Sequence, residues 1–162
     1  MISEIFKAFS EPQNVPRLAE VEAIDFMCLS QIFKWFIKQD IIVLMAKIYN
    51  LQKYCLMIDV DNIHVNGASM GHVLDLLSRG YEFPSLDKKN PEHEQIKSTF
   101  QGKSLKWLKD FVLVCPMTSE EDKRAFRRAF LLMVVKGFLC PTPSASISPE
   151  MHLPPILDVR IQ

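Results

Sequence analysis

Apolar residues recur at helical spacing along most of this chain, and this periodicity constrains the fold more than any other sequence feature. The longest example is the segment 118–139, in which Thr118 or Ser119 can cap a helix and the acidic residues 120–122 suit its first turn. The apolar run FLLMVV follows at 130–135, and prolines come soon after the segment. A chain built from such segments is predicted to be mainly α-helical.

The same spacing, with prolines, glycines and capping residues at the segment ends, predicts further helices. They cover 3–9, a region that begins near 16, and 30–54, 68–80, 90–102 and 104–115. The run IIVLM at 41–45 is apolar on every side of a helix, so we expect it to be buried on most sides. Its β-branched start also allows a strand, but the long segment without glycine or proline favours a helix.

The stretch 54–67 changes in character. Two short apolar runs, CLMI and IHV, flank the sequence DVDN, and Asp and Asn tolerate turn conformations. We therefore predict one small β-hairpin near 55–65 within the helical fold. The 162 residues fit a single domain of ordinary size, so we predict one domain spanning 1–162.

The charges of the chain balance. Lys plus Arg and Asp plus Glu each number 19, which argues against strong binding to nucleic acid or an anionic membrane and favours self-association. The apolar runs fall far short of the roughly 20 residues that a membrane-spanning helix needs. The N-terminal sequence, with Glu4 and Glu11, is not typical of a secretory signal or a transit peptide. We expect an intracellular protein, cytoplasmic or nuclear, that does not insert into a membrane.

No arrangement typical of an active site or a metal site occurs in the sequence. Every cysteine has apolar neighbours, a setting that raises the pKa of a thiol and makes it inert. His64 and His72 belong to different predicted elements, and the turn at 59–62 lacks the glycine and glutamate of a calcium-binding loop. We therefore predict no catalytic residue, no cofactor and no metal. The cysteines are Cys28, Cys55, Cys115 and Cys140.

A basic cluster lies early in the last predicted helix. Its members, Lys123, Arg124, Arg127 and Arg128, share one broad face and could contact phosphates or an acidic partner. The acidic residues at 120–122 precede the cluster and partly neutralise its field. A solvated helix face, or a site for an acidic partner, is therefore favoured over a nucleic-acid site.

Apolar side chains provide the candidates for a protein interface. Trp35 lies off the apolar stripe of its predicted helix, which fits an exposed anchor. The segment after Pro141 is apolar enough to fold back along the last helix, or to be covered together with it by a second chain. We favour the second chain, with residues 130–157 contributing to the contact. The candidates are Trp35, Phe130, Met133, Phe138, Ile147, Leu153 and Ile156.

Two stretches resemble a plant protein family. The first, 35–80, is similar to the plant mobile domain, with a tryptophan-bearing helix, a short apolar strand, a turn and a helix that ends in glycine. The second, 128–159, resembles a segment shared by transposon-associated plant proteins, which include the aminotransferase-like plant mobile domain and the non-catalytic region before SUMO-protease-like domains. Its matching residues are Phe130, Gly137, Phe138, Leu139, Cys140, Pro141, Thr142, Ile147, Ser148, Pro149, Asp158 and Val159.

The resemblance implies a helical domain with a small hairpin and no enzymatic activity. Members of the family usually continue past the Asp-Val position with further helices, so we expect this chain to be C-terminally truncated relative to the family. Small proteins of this descent can act in selfish or hybrid-incompatibility systems.

The predicted function is therefore a non-enzymatic protein–protein interaction module of transposon-derived plant origin, as the antidote or the toxin of such a pair. The expected partner is another protein, such as a related family member, in a homo- or hetero-oligomer. The alternative is association with nucleic acid or chromatin through residues 123–128.

Overall fold

The computed structural model describes residues 2–31, 38–59, 61–74, 83–139, 146–148 and 152–157. The chain divides into two compact units. Unit 1 comprises Met1–Met27 with Tyr81–Gln162, and unit 2 comprises Cys28–Gly80. The single domain predicted over 1–162 stays a prediction, since two compact units can still fold as one cooperative domain.

The regular elements of the described residues are helices and one small antiparallel sheet, which confirms the mainly α-helical fold with a small hairpin. Short 3-10 turns lie at Pro12–Asn14, Met27–Gln31 and Pro154–Ile156, and a π-helical turn lies at Val135–Leu139. The helices are α1 (Ile2–Phe9), α2 (Val15–Glu22), α3 (Gln39–Ile48), α4 (Gly67–Leu74), α5 (Pro91–Phe100), α6 (Leu105–Val114) and α7 (Glu120–Val134), and the strands are β1 (Tyr49–Asn50), β2 (Cys55–Met57) and β3 (Asn62–His64).

Helix α7 is the central element of unit 1. It packs against α2, α6 and the turn at Pro154–Ile156. Two phenylalanines of α1 also meet it: the ring centroids of Phe6 and Phe130 are 6.2 Å apart, and those of Phe9 and Phe126 are 5.9 Å apart. Aromatic pairs at such distances contribute about 0.5–1.5 kcal/mol each beyond the burial of their surface. The core of unit 1 is therefore built around the apolar face of α7.

The start of α7 is fixed by a capping box at Ser119, one of the two residues, Thr118 and Ser119, that the sequence offers as the cap. The backbone N–H of Asp122 donates to Ser119 Oγ at 3.1 Å, and the backbone N–H of Ser119 donates to Asp122 Oδ2 at 2.9 Å. The hydroxyl of Thr118 donates to the same carboxylate oxygen at 2.8 Å. The hydrogen bonds from Thr118 and Ser119 hold the pKa of Asp122 below its ordinary value.

A buried ion pair joins α7 to α2. Arg127 is only 3% exposed, and its Nη1 donates to Glu20 Oε2 at 2.9 Å. Glu20 is also buried and has Lys123 Nζ at 3.8 Å from its other carboxylate oxygen. Because a charge taken out of water is costly unless it is paired, each member of the pair needs the other to stay inside.

Unit 2 contains the small sheet, whose strand order is β1-β2-β3 with antiparallel pairing throughout. Helix α3 ends at Ile48, six residues before the predicted end at 54. The reason is local, because Tyr49 adopts an extended conformation and pairs with Leu56 on β2. Asn50 Oδ1 then accepts the N–H groups of Gln52 and Lys53, which turns the chain into β2.

Replacing Ser119 by alanine is expected to lower the free energy of unfolding by about 1 kcal/mol, because the N–H of Asp122 loses its acceptor. Ser119→Asp keeps an acceptor oxygen at the cap and should retain most of the stability. Chemical denaturation followed by circular dichroism measures both. Equal losses in the two variants would contradict the capping role.

Replacing Arg127 by methionine is expected to cost about 3 kcal/mol, because it leaves the Glu20 carboxylate buried without its main partner. The double variant Glu20→Leu/Arg127→Met removes both charges and should be more stable than Arg127→Met alone. The same denaturation experiment compares them. A double variant less stable than the single one would show that the charges are not coupled.

Candidate functional site

The predicted basic cluster on α7 is largely neutralised within unit 1. Arg127 pairs with Glu20, as described above. Lys123 Nζ lies 2.7 Å from a carboxylate oxygen of Glu120, and this hydrogen bond raises the pKa of Lys123 and lowers that of Glu120. Arg124 is exposed, and no carboxylate of the described residues lies within ion-pair distance of it.

Arg128 links three parts of unit 1. Its Nη2 lies 2.7 Å from Glu92 Oε1 on α5, and its Nε donates to the backbone carbonyl of Ile156 at 3.2 Å. The hydrogen bond from Arg128 lowers the pKa of Glu92. Arg128 thus holds α5 and the C-terminal segment against α7; the described residues of that segment, 146–148 and 152–157, are called the tail below. The four cations do not form a free basic patch.

Most of the apolar interface candidates lie in the core of unit 1. Phe130, Met133, Ile147, Leu153 and Ile156 are all buried. From the sequence we expected the segment after Pro141 either to fold back along the last helix or to be covered by a second chain, and we favoured the second chain. In the structure the described residues of this segment fold back on the same chain. An interface built from these five side chains would require the tail to leave α7.

The backbone of the tail is attached to the loop between α5 and α6. The N–H of Ile147 donates to the carbonyl of Lys103 at 2.9 Å, and the N–H of Gly102 donates to the carbonyl of Ile147 at 3.1 Å. Gly102 has a φ of +73°, which suits glycine. Of the remaining candidates, Phe138 is half-buried in the π-helical turn, and Trp35 lies outside the described residues.

His152 is a buried polar residue that the sequence analysis did not single out. It is 1% exposed, its Nδ1 accepts the N–H of Ser148 at 3.0 Å, and its Nε2 has no hydrogen-bond partner among the residues that the structure describes. Burial and the nearby charge of Lys136 lower the pKa of His152. No helical or strand periodicity covers the tail, so no sequence signal could have marked this residue as buried.

The described cysteines are buried or half-buried. Cys55 and Cys115 are buried, and Cys28 is half-buried. Burial is the main reason that the pKa of Cys115 is raised, and its Sγ lies 3.6 Å from the carbonyl oxygen of Asp122. Cys140 lies outside the described residues. Among the residues that the structure describes, no three His, Cys, Asp or Glu side chains group closely enough to hold a metal ion.

Unit 2 carries an extensive apolar surface. All five residues of the run Ile41–Met45 on α3 are exposed, with Leu44 at 58%, so the prediction that this run is buried on most sides is wrong. Met57 on β2, Ile63 on β3 and Ile58, which follows β2, are also exposed. We call these eight residues the apolar surface of unit 2.

Few of the described elements of unit 2 pack on α3. Among the described elements α3 packs on β2, and a three-residue strand covers one side of a ten-residue helix at most. A helix that is apolar on every side normally has neighbours on every side.

No described helix of the chain is long and apolar enough to cross a membrane. Of the features described above, this surface is the best candidate for a functional site.

Comparison with curated proteins and with solved structures gives no match. One family model does match, and the match covers residues 1–161, so it includes both units. Its description assigns no activity, since it reads domain of unknown function. The chain belongs to this family, DUF8566.

Proposed function

We propose that this chain is a non-enzymatic module that binds a partner protein through the apolar surface of unit 2. The observation that carries the proposal is the exposure of five consecutive apolar residues, Ile41–Met45, on a regular helix. Contiguous apolar surface of this kind in a folded protein marks an interaction site more often than an accident of the fold.

The composition of the surface fits a protein partner. Removing apolar area from water contributes about 25 cal/mol per Å², so covering α3 and the sheet together would give a favourable association. Met45 and Met57 add flexible side chains that adapt to the shape of a partner. A polar substrate or an anion would find no complementary groups among these eight residues.

The absence of enzymatic activity stays part of the proposal. It is supported by the buried or half-buried state of the described cysteines and by the absence of a metal-binding group among the described residues. The nucleic-acid alternative is weakened because Lys123, Arg127 and Arg128 are paired with carboxylates. Contact with phosphates would require those pairs to open.

The resemblance to transposon-derived plant proteins suggests what kind of partner the chain binds. We propose that the partner is a related family member and that the pair acts inside the cell, in the manner of a toxin and its antidote. The support is the sequence pattern at 128–159 and at 35–80, together with the mainly helical fold that the pattern implies.

The proposal is tested by affinity capture with the tagged full-length chain and quantitative mass spectrometry. The variant Ile42→Lys/Ile63→Lys places two charges on the apolar surface of unit 2. Because desolvating a charge in an apolar contact is costly, specific partners should be reduced by at least about tenfold.

The matched control is Phe83→Lys/Val114→Lys, which changes two exposed apolar residues of unit 1. It should capture the same partners as the wild-type chain, and circular dichroism confirms that both variants are folded. Partners retained equally by both variants, or no protein enriched over the tag alone, would refute the proposed function.

A further inference from the structure

Helix α3 carries a charge pattern that is complementary to itself. Asp40, Val43, Leu44 and Lys47 follow the spacing i, i+3, i+4, i+7, which places them on one face of the helix. All four are exposed. We call them the α3 face. Its two charges are opposite in sign and lie about 10 Å apart along the helix axis, with apolar side chains between them.

Within the described part of the chain, neither Asp40 nor Lys47 forms an ion pair. An acidic residue in the first turn and a basic residue in the last turn also suit the dipole of the helix itself. This local effect accounts for the order of the charges but does not explain the exposed apolar residues between them.

Two α3 faces fit together when the helices run antiparallel. With a twofold axis midway between Val43 and Leu44, Asp40 of one copy faces Lys47 of the other, and Val43 faces Leu44. The interface therefore gains two equivalent ion pairs around an apolar centre. The dipoles of the two antiparallel helices also attract each other. A parallel arrangement would place like charges opposite each other.

We propose that two copies of this chain associate through antiparallel contact of their α3 faces. This inference rests on the proposed function, since it names a second copy as an occupant of part of the apolar surface of unit 2. The balanced charge of the chain, 19 basic against 19 acidic residues, leaves no net repulsion between two copies. A contact built mainly from one helix per chain is small, so association in the micromolar range is expected.

A membrane surface fits the α3 face less well. Helices that lie on anionic membranes combine an apolar side with a polar side rich in Lys and Arg. On the α3 face the single Lys47 is balanced by Asp40. The same pair of opposite charges is what a second copy requires.

The first test is the concentration dependence of mass, measured by light scattering or analytical ultracentrifugation on the full chain. The monomer has a mass of 18.7 kDa, and the wild-type chain should approach twice this value as its concentration rises. Leu44→Asp places like charges at the centre of the contact and should abolish dimerisation. Val114→Lys changes an exposed apolar residue outside α3 and should dimerise like the wild type.

The second test exchanges charges between copies. Asp40→Lys gives a face with two positive charges, and Lys47→Asp gives one with two negative charges. Each variant alone should dimerise at least about tenfold more weakly than the wild type, and an equimolar mixture should recover a one-to-one dimer. Native mass spectrometry distinguishes the mixed dimer from either homodimer.

The mixture separates pairing between copies from an effect on the helix alone. Each charge reversal also opposes the dipole of its own helix, and circular dichroism measures any loss of helix. If the charges acted only within one chain, mixing the two variants would recover nothing.

A monomeric wild-type chain, a dimer that survives Leu44→Asp, or a mixture without mixed dimers would overturn the inference. Ile42 lies on the opposite side of α3 from Leu44, and Ile63 lies on the sheet, so the capture experiment is independent of the α3 face. A monomeric wild-type chain that still loses its partners in Ile42→Lys/Ile63→Lys would overturn this inference alone. Dimers of the expected kind, with no surface-dependent partner other than a second copy, would instead overturn the proposed function alone.

Discussion

The buried pair between Arg127 and Glu20 is the interaction on which the packing of unit 1 depends. Arg127 is the one charged side chain among the buried residues of α7. It lies next to Phe126, whose ring stacks on Phe130 in the core. Helix α7 can direct this face inward only because α2 supplies a carboxylate at hydrogen-bond distance. The pair therefore fixes how α2 is oriented on the central helix.

The same constraint explains why a basic sequence cluster does not become a basic surface. Of the four cations within residues 123–128, three are paired with carboxylates of unit 1. Arg128 in particular joins α5 to the tail through Glu92 and the carbonyl of Ile156. The positive charges that could bind a polyanion are thus paired with carboxylates inside unit 1.

The sequence was informative where structure is set locally. The cap at Ser119 and the hairpin near 55–65 were predictable, because a capping box and a turn sequence act over a few residues. Prediction from the sequence failed where the structure depends on residues far away in the chain. Nothing in IIVLM shows whether neighbours will enclose it, so an apolar helix was expected to be buried although unit 2 leaves it exposed.

The residues proposed as functional also divide into those set by local sequence and those set by distant contacts. Phe130 and Ile147 were predicted as interface residues and are buried in unit 1, because sequence alone could not decide between a contact within the chain and a contact with another chain. The partner of Arg127 is 107 residues away, and no short-range pattern encodes such a pairing. The α3 face, in contrast, is visible in the sequence as DIIVLMAK, yet it gained meaning only when the structure showed its residues exposed.

The two units differ in how they satisfy their apolar residues, and this difference supports binding as the role of unit 2. Unit 1 encloses its phenylalanines, and its tail covers α7 with Leu153 and Ile156. Unit 2 has a helix with five consecutive exposed apolar residues and few described elements to cover it. Leaving this surface in water forgoes a stabilisation that unit 1 obtains within its own chain. A second protein surface would provide for unit 2 what the tail provides for unit 1.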